Sequence, residues 1–306
     1  MMKDGCIILK KNRDNHMYIT ASKTKVIKNY TSDGLEICKY FFKKHTVFYI
    51  DAVLSEDAIK TYYIISGKCK ELKSKRILEQ DDLLVLENLK EKISILFLED
   101  TVLLMHAKLP NVLNIFKKEN ETTIKILENI QLKDNYTMEH SIRVFNKAKI
   151  VAIEMGYYGE KLYILNKASR FHDVGKIFID DYILNKPDKL LKIEFDKIKE
   201  HTTAGKEIII NAYGEYGERI FNIISQHHER IDGSGYPKKL SGDDILEEAK
   251  ILAICDSYDA MTTDRVYKKG ISHKEAIAEI IKLKGIKYDE KIVDIFVNCF
   301  KLNKFF

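Results

Sequence analysis

The sequence predicts an α+β chain in two parts: a small all-β domain followed by an all-helical bundle. Three observations carry this. Apolar residues come in short β-rich runs up to Ala107, they recur at helical steps after Asp134, and Pro110 falls between the two regimes. At 306 residues the chain exceeds one typical domain, and 45% apolar with 32% charged residues is an ordinary globular balance that excludes a disordered tail protein.

Within residues 1–109 the runs CIIL, MYIT, TVFYI, TYYIIS, ISILFL and TVLLM read as strands, and TSDG, SGK and EQDD as turns. Many short strands with turns at such spacing suggest a sandwich or barrel. The run from Thr61 to Asp100 resembles the jelly roll of cupin-type domains in its order of strand, glycine turn, strand, acidic turn and strand. Metal-binding cupins carry a closely spaced histidine pair that His16, His45 and His106 do not reproduce. The resemblance therefore implies a metal-free sensory or dimerising module, and an unrelated small β domain is the alternative.

Residues 110–133 read as a connecting helix, because Val112, Ile115, Phe116, Ile124, Leu127 and Ile130 recur at three- to four-residue steps between Lys and Glu. Such a helix would couple the domains or pair with a second copy, so a homodimer through it or through the β domain is an expectation. Residues 134–306 form the helical domain, with glycine and proline gathered in the loops KIFIDDYILNKPDKL and RIDGSGYPKKLSG.

Composition narrows the partners. The excess of 51 basic over 46 acidic side chains is spread along the chain, which gives no case for duplex nucleic acid and leaves an anionic small molecule open. No stretch approaches the roughly 18 apolar residues of a membrane helix, and MMKDGCIILKKN lacks the pattern of a signal peptide, so no membrane insertion and a cytoplasmic location are expected. Cys6, Cys38, Cys69, Cys255 and Cys299 are odd in number and scattered without CxxC spacing, and they read as reduced thiols.

The chemistry concentrates in the helical half. His140, His172, His201, His227 and His228 are spaced as one ligand or ligand pair per helix would be, and bundle cores are a known place for dinuclear sites. His227 shares the stripe of Ile220, Ile223, Ile224 and Ile231. A lone histidine there is more often a satisfied core residue; the adjacent His228 and the following Glu229 shift the balance towards metal. Asp256 shares a face with Ala249, Leu252, Ala253 and Ala260, and an inward carboxylate needs a cation or a metal, with a salt bridge or cap as the ordinary alternative. Leu165, Ala168 and Phe171 lead into His172 and Asp173, and Gly175 is expected to stop that helix.

From about Asp134 to Phe300 the pieces YTMEHSIRV, FHDVGKIFIDDYILNKPDKL, IKEHTTAGKEI, QHHERIDGSGYP and ICDSYDAMTTDRVYK resemble, in order, the HD-GYP family of cyclic di-GMP phosphodiesterases. That resemblance implies an HD-type helical bundle and two divalent metal ions, one held by His140, His172, Asp173 and Asp256, the other by Asp173, His201, His227 and His228, with Asp173 bridging. Nitrogen-plus-carboxylate ligands suit iron or manganese. It further implies hydrolysis of cyclic di-GMP to pGpG or GMP, with Lys176 balancing phosphoryl charge. Tyr236 of the GYP turn would stack on or hydrogen-bond the substrate, Asp259 would contact the base, and Arg265 with Lys268 would meet guanine edges and phosphate.

The sequence also departs from the family pattern. Tyr136 stands where members with a third metal carry Glu, so two ions are expected. Lys239, Asp180 and Val266 replace a usual Gly, Pro and Pro, which bears on the substrate loop and removes no ligand. Two other functions stay open: an HD phosphohydrolase of another nucleotide, such as a mixed cyclic GMP–AMP, and a cyclic di-GMP receptor without turnover.

Overall fold

A computed structural model describes residues 17–19, 25–32, 35–51, 59–87, 89–108, 112–186, 188–264 and 269–305. Cys6 and the expected strand at residues 6–9, His16, Pro110, Arg265, Val266 and Lys268 lie outside the described residues. The chain divides into two compact units, Met1–Ile124 with Tyr158–Glu160, and Lys125–Tyr157 with Lys161–Phe306.

The first unit is all-β. Its strands are β1 (Met17–Ile19), β2 (Lys25–Ser32), β3 (Leu35–Phe42), β4 (Val47–Ile50), β5 (Ile59–Ser66), β6 (Lys68–Glu71), β7 (Ile77–Glu79), β8 (Leu83–Glu87), β9 (Ile93–Phe97) and β10 (Thr101–Lys108). Among the described residues they form a six-stranded sheet, β1-β2-β3-β10-β5-β8, and a four-stranded sheet, β4-β9-β6-β7. Every pairing between these strands is antiparallel. β3 pairs β10, β4 pairs β9, β5 pairs β8 and β6 pairs β7, so the chain forms one long antiparallel ribbon wrapped into two sheets. That wrapping is the expected jelly roll.

Strand alternation builds the core between the sheets. Cys38, Tyr40 and Phe42 of β3, Ile95 and Phe97 of β9, and Leu103, Met105 and Ala107 of β10 are buried at every second position. Phe42 stacks on Phe97 with ring centroids 4.1 Å apart, and the Tyr40 hydroxyl points at the Met105 sulfur at 3.7 Å. β2 and β3 are strands that the sequence reading named only by their turn.

Helix α1 (Val112–Lys133) follows, and the division between the units falls inside it, after Ile124. From Glu121 onwards Thr123, Ile126 and Ile130 are buried, a stripe that includes Ile126, which is not among the apolar positions of the sequence pattern.

The second unit is helical. α2 (Asn135–Glu154) begins where Asp134 accepts hydrogen bonds from the backbone N–H groups of Tyr136 and Thr137, both at 3.0 Å, as an N-cap aspartate does. Next come α3 (Gly159–Phe171), a 3₁₀ turn at Val174–Phe178, α4 (Asp181–Leu184), α5 (Lys192–Lys199), α6 (His201–Ala204), α7 (Lys206–Tyr213), α8 (Gly217–Gln226), α9 (Glu247–Thr262), α10 (His273–Lys282) and α11 (Glu290–Lys301). α3 ends before His172, short of the predicted stop at Gly175. That glycine serves close packing instead, because a Cβ on it would lie 2.0 Å from the carbonyl oxygen of His201.

The stripe Ile220, Ile223 and Ile224 of α8 is buried, each side chain contributing roughly 1.5–3 kcal/mol, and α8 stops at Gln226 so that His227 and His228 sit just past its end. α9 is buried beyond the predicted single face: Ile251, Ile254, Cys255 and Tyr258 are enclosed along with Ala249, Leu252 and Ala253. A central helix must therefore find internal partners for Asp256 and Asp259. Cys38, Cys69, Cys255 and Cys299 are buried and form no disulfide, and among the described residues no helix is long and apolar enough to cross a membrane.

Candidate metal centre

Five elements bring the ligand candidates together. α2 supplies His140, the turn after α3 carries His172 and Asp173, α6 begins with His201, the turn after α8 carries His227 and His228, and α9 presents Asp256. His140, His172, His201 and His227 are each at most 2% exposed, as is Asp173. Two groups of ligand atoms converge within 4.8 Å: His140, His172 and Asp173, and His201, His227 and His228.

Asp173 faces both groups. Its Oδ1 lies 3.4 Å from His201 Nε2, while Oδ2 lies 3.4 Å from His172 Nε2 and 3.7 Å from His140 Nε2. Asp256 reaches His140 Nε2 with Oδ1 at 3.0 Å and approaches His228 Nδ1 with Oδ2 at 3.8 Å. Lys176, on the 3₁₀ turn, donates to Asp173 Oδ2 at 2.7 Å.

The tautomers follow from the backbone. The Nδ1 atoms of His172, His201 and His227 face the carbonyl oxygens of Ser169, Ile198 and Ile224 at 3.0, 2.6 and 2.6 Å. A carbonyl only accepts, so each Nδ1 must carry the proton and each Nε2 a lone pair. Yet His201 Nε2 and His227 Nε2 stand 3.4 Å apart. Two inward lone pairs at that distance repel unless a cation shares them.

Electrostatics agrees. Burial lowers the pKa of His172 and His201 below the ordinary value, pushes His227 down to about 3 and holds His228 well below it, so these rings are neutral. Burial also opposes the charged forms of Asp173 and Asp256. Lys176 and the imidazoles around Asp173, and the hydrogen bond from His140 to Asp256, outweigh it and keep both carboxyls well below the usual range. Burial likewise disfavours charge on His140, but Asp256 and Asp259 raise its pKa, so a proton and a metal ion compete most directly there. Neutral imidazole nitrogens with ionised carboxylates in a closed core fit divalent cations.

The substrate side is arranged differently from the sequence reading. Tyr236 stacks on His228 with ring centroids 4.7 Å apart, beside the centre. Asp259, expected at the base, is 1% exposed and meets His140 Nδ1 at 2.9 Å, because the buried helix α9 directs it behind that ring. Arg265 and Lys268 lie outside the described residues.

Glu229, weighed beside the histidines as a sign of metal, is committed elsewhere. It is buried, and its two oxygens accept from the backbone N–H groups of Lys238 and Leu240 at 2.7 and 3.0 Å. Gly235 packs so closely that a Cβ there would fall 2.4 Å from the Glu229 Cα. Together they fold the Tyr236 loop back over the His227–His228 turn. Lys239, in the position of a usual glycine, has φ +56°. Arg143 and Lys147 were also missed, although their placement three and seven residues after His140 put all three on one face of α2.

Comparison with known proteins bears on the helical half. The chain is 34% identical over 178 residues to a cyclic di-GMP phosphodiesterase response regulator, RpfG, of Xanthomonas campestris, covering 58% of this chain and 47% of that protein. It is 32% identical over 187 residues to 3'3'-cGAMP-specific phosphodiesterase 2 of Vibrio cholerae, covering 60% of this chain and 36% of that one. The chain thus spans half or less of these relatives. For the β half, an RmlC-like cupin from Shewanella frigidimarina aligns with a TM-score of 0.29 at 11% identity, covering 35% of this chain and 95% of that one. Residues 115–292, more than half of the sequence, match the HD domain family, and the chain belongs to that family.

Proposed function

We propose that this protein hydrolyses cyclic di-GMP at a centre of two divalent ions, iron or manganese. The observation that carries the reading is the buried convergence of neutral imidazoles on Asp173, whose two oxygens face the two ligand groups. One ion would be held by His140, His172, Asp173 and Asp256, and the other by Asp173, His201, His227 and His228. When bound, such a pair lowers the pKa of a water and screens the charge of a phosphodiester.

The remaining work falls to the chain. Lys176, now paired with Asp173, would turn its ammonium to the phosphoryl oxygens as negative charge grows on them. Tyr236 would hold a guanine beside the centre, and Glu229 would keep that loop in place. In the balanced reaction the water oxygen joins phosphorus as the bond to the 3′ oxygen breaks. The water proton reaches that leaving oxygen, and linear pGpG results; a second cut would give GMP. The name of the Xanthomonas relative supports this substrate. Buried cysteines outside any disulfide are compatible with work in the cytoplasm, and the β unit or α1 would serve a homodimer.

The test uses anaerobically prepared, metal-loaded protein and chromatography of the products. Cyclic di-GMP should be converted to pGpG or GMP, and Asp173→Ala should lose roughly 10³-fold or more in kcat. Intact substrate with both proteins overturns the enzyme reading, and nanomolar binding without product would make the chain a receptor. A higher kcat/KM for a mixed cyclic GMP–AMP would change the substrate and leave the chemistry.

A further inference from the structure

His140 differs from the other buried rings in what holds its outer nitrogen. His172, His201 and His227 each face a main-chain carbonyl, which no side-chain change removes. His140 depends on a side chain: Asp259 Oδ2, at 2.9 Å from Nδ1. Asp259 is itself enclosed, and a buried carboxylate without compensation costs several kcal/mol. Its compensation comes from α2. Arg143 Nε lies 3.1 Å from both oxygens of Asp259, and Lys147 Nζ lies 3.0 Å from Oδ1. Thr263 Oγ1 adds a longer contact at 3.4 Å.

The spacing explains the construction. His140, Arg143 and Lys147 share one face of α2, and α9 carries Asp256 and Asp259 one turn apart. One acid of α9 therefore reaches the inner nitrogen of His140 while the other holds the outer one.

We propose that Asp259, held in place by Arg143 and Lys147, is a positioning residue that fixes the tautomer and ring angle of His140 and so sets the affinity of one metal position alone. Among the described residues its carboxylate meets His140, Arg143, Lys147 and Thr263, on the side of the His140 position. The proposal rests on His140 being a ligand and adds which group controls it.

Titrating the metal-free full chain with Mn²⁺ in a calorimeter tests it. Wild type should show two binding events, and His140→Ala identifies the one that involves this ring. In Asp259→Asn that same event should weaken by roughly 10–100-fold, the usual cost of losing a carboxylate behind a metal-bound histidine, and the other should stay unchanged. Lys147→Gln, at a partly accessible side chain, keeps the carboxylate and should weaken the same event less; it decides the matter if Asp259→Asn does not fold. Unchanged affinities, or equal weakening of both events, overturn the proposal. A wild type that binds a single ion would instead overturn the two-ion reading, and the effect of the variants on that ion would still decide the role of Asp259.

Discussion

At the scale of single residues, the centre separates groups that hold charge from groups that hold geometry. Lys176 belongs to the first kind. Lys176→Met should lower kcat for cyclic di-GMP by roughly 10²–10³-fold with metal content unchanged, measured by steady-state kinetics beside elemental analysis. A fall in metal content equal to the fall in rate would reassign it to structure. Glu229 belongs to the second kind. Its carboxylate holds two backbone N–H groups of the Tyr236 loop, so Glu229→Gln should raise KM about tenfold, worth ~1.4 kcal/mol, with kcat within about twofold. A drop in bound metal in that variant would make it a ligand after all.

These two residues also show what a sequence can and cannot disclose. Lys176 could be singled out because it sits three positions after Asp173 in a motif of the family it resembles, and that short spacing also lets it reach the Asp173 carboxylate. The task of Glu229 was not, because its partners lie nine and eleven residues further on, in a loop whose return path depends on tertiary packing. Asp259 was misplaced for a related reason. The family resemblance implied a contact with the base, but only the burial of α9 on several sides decides that it lies behind His140.

At the scale of elements, the site depends on how closely the 3₁₀ turn meets α6. Gly175→Ala would press a methyl group into the carbonyl of His201, costing about 1–3 kcal/mol and displacing a ligand. Chemical denaturation and metal titration should show lower stability and weaker binding together; wild-type values for both would contradict the packing described. The turn after α8 gives a pH dependence. Burial takes the His227 pKa from 6.5 to about 3 in the metal-free fold. As pH falls through that interval the unfolded chain takes up a proton that the fold refuses, so stability is full above about 6.5 and declines towards 3. Urea midpoints of metal-free protein between pH 4 and 7 should fall with acidity, less steeply in His227→Gln. An equal slope in the two would remove His227 from the account.

At the scale of the molecule, the same chain uses two ways of making a core. The jelly roll rests on alternation along strands, and that half was legible as β but not in full, since Lys25, Lys28, Glu36 and Lys39 interrupt the apolar residues of β2 and β3. The helical unit surrounds polar ligands that repel one another without a cation, so metal should stabilise that unit selectively. Scanning calorimetry with and without chelator should move one transition down and leave the other; a common shift of a single transition would contradict independent units.

The most direct test of the centre itself is anomalous X-ray scattering from crystals of metal-loaded protein, recorded at the manganese or iron edge. Two peaks about 3.5–4 Å apart, with the Asp173 carboxylate between them, are the predicted result. One peak, or peaks away from Asp173, would contradict the claim that this carboxylate joins two ions.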